Sequence, residues 1–86
     1  AQFAIESAAP NPFQVRTTLH VRLGVPQRLH LTVYDTQGRL VADVLNAAHP
    51  SGRHQIEVDG SRWPVGVYFA RLSTEAGEQT FKLVKV

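Results

Sequence analysis

The segment Arg28-Leu29-His30-Leu31-Thr32-Val33-Tyr34, followed at once by Asp35-Thr36-Gln37-Gly38, decides the fold class. Leu29, Leu31 and Val33 share one phase of a two-residue repeat, and Arg28, His30 and Thr32 share the other. A period of two belongs to a strand whose successive side chains point to opposite faces, one buried and one wet. In the tetrapeptide that follows, Asp stands first and Gly last, which matches a type I turn closed by a left-handed glycine. A strand ending in such a turn leads into another strand, so the reading extends in both directions.

Upstream, Thr18-Leu19-His20-Val21-Arg22-Leu23 alternates in the same way, and Gly24-Val25-Pro26 breaks the chain between the two runs. Downstream, Leu40 to Leu45 and His54 to Val58 are weaker strands; Leu40 to Ala48 is compatible with a helix but is short and uncapped. Val67 to Leu72 is a strong β run, Phe3 to Ala8 is a first strand, and Thr80 to Val86 is the last. The two phases of that last segment are Phe81, Leu83, Lys85 and Lys82, Val84, Val86, neither of them purely apolar. Pro50-Ser51-Gly52, Asp59-Gly60-Ser61, Trp63-Pro64-Val65-Gly66 and Glu75-Ala76-Gly77 supply the turns. Seven short strands with turn signals every 8–12 residues or so predict an all-β, immunoglobulin-like antiparallel β-sandwich. The Cys–Trp–Cys spacing of antibody domains is absent.

Composition narrows the function. A chain of 86 residues holds one small domain, spanning 1–86, with no cleft between domains. Without cysteine there is no disulfide framework, no thiolate zinc site and no thiol nucleophile. No apolar run approaches the ~20 residues of a membrane-spanning helix. The net charge of +2 arises from basic residues dispersed among acids, so no nucleic-acid interface is expected. The absence of Met leads to the expectation of a module cut from a larger protein.

Catalytic constellations are equally sparse. His20, His30, His49 and His54 lie in separate segments without local metal-ligand spacing. Asp35, Asp43 and Asp59 stand in or near turns, where Asp caps backbone groups. The serines lack a nucleophile-elbow context, and no glycine-rich phosphate loop is present. We therefore expect no enzyme, no cofactor and no metal. Among the aromatics, Trp63 reads as a core or rim plug, whereas Tyr34 and Tyr68 are expected to point outward. Exposed aromatics keep open an alternative function, a non-catalytic carbohydrate- or protein-binding accessory sandwich of a secreted enzyme. Pro10-Asn11-Pro12-Phe13 reads as a rigid corner between the first two strands, with Phe13 plugging the end of the core.

The order of short motifs carries a resemblance. Pro10-Asn11-Pro12-Phe13 precedes Thr17-Thr18-Leu19, then Val33-Tyr34-Asp35 with Gly38-Arg39-Leu40-Val41, then Gly52-Arg53-His54. Gly66-Val67-Tyr68-Phe69-Ala70-Arg71-Leu72 and the terminal Lys82-Leu83-Val84-Lys85-Val86 complete the series. This arrangement resembles the type A C-terminal sorting domain of the type IX (Por) secretion system of Bacteroidetes and related bacteria. The resemblance implies an immunoglobulin-like domain that directs an upstream passenger to the cell surface or outside a Gram-negative bacterium. It implies as partners the type IX translocon and a sortase-like peptidase at the outer membrane. The implied recognition residues are Pro10, Asn11, Pro12, Gly66, Tyr68, Lys82, Leu83, Val84 and Lys85. The chain departs from the pattern at Ala9, where an aromatic is usual, and at Trp63, where an aliphatic is usual. We expect a monomer.

The final strand adds a physical expectation. Only apolar and basic residues fill the last six positions, so an edge strand there is suited to recognition by strand pairing or by an acidic groove. If Phe81 and Leu83 complete the core, Val84 and Val86 turn outward with Lys82.

Overall fold

Leu19, Val21 and Leu23 face Leu29, Leu31 and Val33 across the interior, and all six are almost wholly shielded from solvent. Their burial follows from the period-two pattern, and each such side chain contributes about 1.5–3 kcal/mol. The computed structural model, which describes residues 2–86, has seven strands among them. They are β1 (Phe3–Ala9), β2 (Arg16–Leu23), β3 (Gln27–Asp35), β4 (Leu40–His49), β5 (Gly52–Asp59), β6 (Gly66–Thr74) and β7 (Gly77–Lys85). Of these, β4 alone lacks a buried position. The helix-compatible stretch from Leu40 belongs wholly to β4, because pairing with β3 overrides its weak local preference.

The strands form two antiparallel sheets packed as a sandwich, a three-stranded sheet β1-β2-β5 and a four-stranded sheet β4-β3-β6-β7. In the constant-type immunoglobulin arrangement the fourth strand joins the sheet of the first, second and fifth. Here it pairs with β3 on the other sheet.

The turn after β3 forms as its sequence predicts. The Gly38 N–H donates to the Asp35 carbonyl at 3.1 Å, and Gly38 has a φ of 79° that an L side chain disfavours. The Asp35 carboxylate accepts from the Gln37 and Arg39 N–H groups at 2.8 and 3.0 Å. The Arg39 backbone bond, ahead of the Gln37 bond and the Arg39 side chain, holds the Asp35 carboxyl below its ordinary range. In β1, Glu6 sits in a bulge between Ile5 and Ser7 and pairs with Arg22 and Arg53 at 3.5 and 3.6 Å. These pairs are solvent-exposed and structurally minor.

Both sheets end on the same side in an unpaired strand, β1 in one and β7 in the other. Such edges invite pairing with foreign strands. Side-chain amides close them instead. Gln79 on β7 accepts from the Ile5 N–H at 2.9 Å and donates to the Phe3 carbonyl at 3.3 Å. One carboxamide thus supplies β1 with the donor and acceptor that a further strand would offer.

Candidate functional site

The Pro10-Asn11-Pro12 loop leaves β1 and crosses to the far end of β7, with both Pro residues preceded by cis peptide bonds. The two pyrrolidine rings fix the loop and remove its backbone donors at Pro10 and Pro12. The Asn11 side chain then acts as a strand in miniature. Its Nδ2 donates to the Lys82 carbonyl at 3.0 Å, and its Oδ1 accepts from the Val84 N–H at 3.0 Å. Phe13 continues the pairing with its backbone. Its N–H donates to the Val84 carbonyl, and its carbonyl accepts from the Val86 N–H, each at 2.9 Å, in a parallel bridge.

The outer edge of β7 is therefore occupied from Lys82 to Val86. This corrects the expectation that the terminal strand offers a free edge there. The loop lies beside β7 in the same order as an added strand, and it consumes the groups that strand pairing would use. Asn11 and Lys82 are 71 positions apart, so the two motifs look independent in the sequence. The available signal was the carboxamide between two prolines, a side chain with one acceptor and two donors and no local backbone competitor.

Inside the same corner, Phe13 is 1% exposed and plugs the end of the core, as its position predicts. The Trp63 ring meets Phe13 edge-on at 6.1 Å and lies against Tyr68 at 4.9 Å. Trp63 is packed against the core, in keeping with the reading of it as a plug. Tyr68 differs from expectation. It is buried, because Leu83 faces it across the β6–β7 pair, and its hydroxyl donates to the Pro64 carbonyl at 2.5 Å. A tyrosine near the start of the sixth strand bonding to backbone a few residues upstream is the tyrosine corner of immunoglobulin-like sandwiches.

Gly60 lies beneath these rings. A Cβ there would stand 2.8 Å from both Phe13 Cε2 and Trp63 Cε3, so only glycine fits without displacing an aromatic. Its N–H donates to the Val15 carbonyl at 2.9 Å, and its own carbonyl accepts from the Trp63 N–H at 3.0 Å. The same carbonyl accepts from the Lys85 ammonium. Asp59 caps this turn, with its carboxylate accepting from the Ser61 N–H at 2.9 Å. That backbone bond, with the Ser61 hydroxyl next in importance, holds the Asp59 carboxyl below its ordinary range.

All nine residues expected to carry recognition meet at this corner. Pro10, Asn11 and Pro12 flank β7, Gly66 pairs with Lys85, and Tyr68 pairs with Leu83. They differ in what they present. Leu83 is fully buried and Lys85 is 7% exposed, with its stem inside the sandwich and its ammonium on Gly60. Of the two terminal lysines only Lys82 is exposed. Gly66 opens β6 at a φ of 157° with open space where a Cβ would stand, so its constraint lies in the backbone. Pro10, Pro12, Val15 and Val86 line a shallow groove beside the corner.

His49 and His54 do approach one another, at 4.9 Å between ring centres. Each has one ring nitrogen against a carbonyl, of Ala47 at 3.1 Å and of Pro50 at 2.7 Å. Among the described residues no three His, Cys, Asp or Glu side chains gather as metal ligands. No helix among them is long and apolar enough to cross a membrane.

Comparison with known proteins agrees with this architecture. Among curated proteins and solved structures none matches the chain closely enough to count as a relative. The family model described as a secretion system C-terminal sorting domain matches residues 7–86, from within β1 to the end of β7 and across every motif of the corner. The chain therefore belongs to the family of secretion system C-terminal sorting domains, the sorting tails of the type IX (Por) system.

Proposed function

We propose that the domain directs an upstream passenger through the type IX secretion system to the cell surface or the surrounding medium. In this reading the type IX translocon recognises the folded domain, and a sortase-like peptidase at the outer membrane acts on the junction with the passenger. The domain itself is non-catalytic. The observation that supports the reading is the convergence of three sequence motifs on one corner in a member of the sorting family. A signal read in the folded state needs a rigid, single-valued surface, and the Asn11 bridge and aromatic plug supply rigidity there.

The accessory-module alternative draws on Tyr34 and Tyr68 as outward aromatics, with Trp63 read as a plug. Tyr68 is buried and Trp63 packs against Tyr68 and Phe13, so the outward pair of tyrosines that a sugar platform would use is reduced to Tyr34. Titration with soluble polysaccharides is therefore expected to give no binding that depends on Trp63 or Tyr68.

The direct test is a reporter with a periplasmic signal sequence and this domain fused at its C-terminus. In a type IX-competent bacterium the reporter is expected outside the cell. It is expected to stay periplasmic in a translocon-deficient strain, or when the domain is moved to the interior of the fusion. Equal periplasmic retention with and without the domain refutes the reading.

A further inference from the structure

An antiparallel sandwich normally keeps polar side chains on the outer face of each sheet. The three-stranded sheet obeys this rule, with Thr18, His20 and Arg22 of β2 opposite Glu57, Gln55 and Arg53 of β5. The four-stranded sheet does not. Tyr34 pairs with Phe69, and Phe69 pairs with Lys82. Tyr34 also stands opposite Leu40, which is 58% exposed. A single row, Leu40–Tyr34–Phe69–Lys82, thus crosses all four strands. One step along, Val67 pairs with Val84 on the same face, because Tyr68 and Leu83 point inward.

The charges around this patch are unevenly satisfied. Arg71 lies over the Tyr34 ring at 5.9 Å and is held by Glu78 at 2.9 Å. Arg39 is held by Asp35 at 2.9 Å. Lys82 is exposed and makes no ion pair among the described residues. Contiguous apolar side chains with an unpaired cation are the composition of a docking surface rather than of a solvated face.

The geometry points to the outer face of the four-stranded sheet as a protein-docking surface centred on Tyr34, Phe69, Val67 and Val84. Its partner is a protein surface that presents apolar side chains around a carboxylate, and that carboxylate meets Lys82. Charge complementarity selects the acidic partner, since Lys82 is the exposed cation on this patch that has no carboxylate beside it among the described residues, whereas Arg39 and Arg71 each have one. The occupied edge selects the face. With the backbone of Lys82, Val84 and Val86 engaged by Asn11 and Phe13, a partner that reads this strand meets its outward side chains. This assignment rests on the sorting reading and names the surface through which the export machinery takes hold.

The test compares passenger fusions in a type IX-competent bacterium. One variant combines Tyr34→Thr and Phe69→Thr, which keep strand preference and remove the rings. A second is Lys82→Glu, and Gln55→Thr on the opposite sheet is the control. Circular dichroism and thermal melting of the purified fusions verify folding. The double variant and Lys82→Glu are each expected to lower export at least about tenfold, as loss of a central contact does, while Gln55→Thr exports normally. A photo-crosslinking residue at position 69, but not at position 55, is expected to join an outer-membrane component during export. Normal export by the folded double variant overturns the docking surface while leaving the sorting reading intact. Failure of the unaltered fusion to export refutes the sorting reading itself. Concentration-dependent dimers of the unaltered fusion that vanish in the double variant assign the face to self-association and overturn the proposal.

Discussion

Replacing Asn11 tests the central structural claim, that one carboxamide serves the edge of β7 as a strand would. Asn11→Ala deletes two hydrogen bonds, one to the Lys82 carbonyl and one from the Val84 N–H, both at 3.0 Å. A neutral hydrogen bond contributes about 0.5–1.5 kcal/mol net, so two span about 1–3 kcal/mol. Asn11 is exposed and water can replace its atoms, which places the loss near the lower end, about 1–1.5 kcal/mol. For a domain of this size that corresponds to a fall in melting temperature of roughly 4–12 °C. Asn11→Asp is the sharper probe. It keeps an acceptor for the Val84 N–H but sets a carboxylate oxygen against the Lys82 carbonyl, so it is expected to be less stable than Asn11→Ala at neutral pH. Protonating the new carboxyl near pH 3 restores a donor and narrows the gap. Urea unfolding gives the stability change, and amide exchange of Val84 gives the local one. An Asn11→Ala midpoint within ~0.3 kcal/mol of the unaltered protein, with Val84 exchange unchanged, refutes the bridge as a stabilising element.

Gly60→Ala is expected to cost about 1–3 kcal/mol by overpacking, because its Cβ meets two aromatic carbons at 2.8 Å; urea unfolding measures it. Thr17→Val should raise stability by about 1 kcal/mol in the same assay, since the buried Thr17 hydroxyl has no partner and the change preserves shape. Tyr68→Phe removes the bond to the Pro64 carbonyl and should lower stability by about 0.5–1.5 kcal/mol, read as a lower melting temperature. Acid should weaken the fold: Asp35, Asp59 and Glu78 are all held below their ordinary values of 3.8, 3.8 and 4.5. For groups so depressed, stability is fully present above the unfolded values and is lost as pH falls through the folded ones. Thermal melts should therefore be flat from pH 7 to about pH 5 and fall below about pH 4, with the acid loss reduced in Glu78→Gln, whose carboxylate is held down chiefly by Arg71.

The strands were legible because their cause is local. Leu29, Leu31 and Val33 alternate with polar neighbours, and the Asp35–Gly38 turn carries its own capping carboxylate. The placement of β4 was not legible, because a weakly amphipathic strand joins whichever sheet has a vacant neighbour. The candidate site was legible as residue identities, since each motif has an unusual composition. Its assembly was hidden. Nothing near Asn11 marks Lys82 as its partner, and although Lys85 shares the phase of Leu83, nothing near it reveals the Gly60 carbonyl that tethers its ammonium. Tyr68 reads as outward on strand position alone; only its pairing with Leu83 shows it to be inside.

The amide bridges also govern the order in which the molecule can assemble. Gln79 reaches back to Phe3 and Ile5, and Lys82 and Val84 reach back to Asn11, so the outer edge of the first strand and its corner stay open until the last strand is in place. Contacts of such wide sequence separation form late and slow the search for the native state. A nascent chain that lacks β7 therefore cannot form the corner at all, and it lacks Leu83 from the core as well. Docking of β7 and completion of the surface coincide, which makes the corner a built-in report that the last strand of the domain is folded into place.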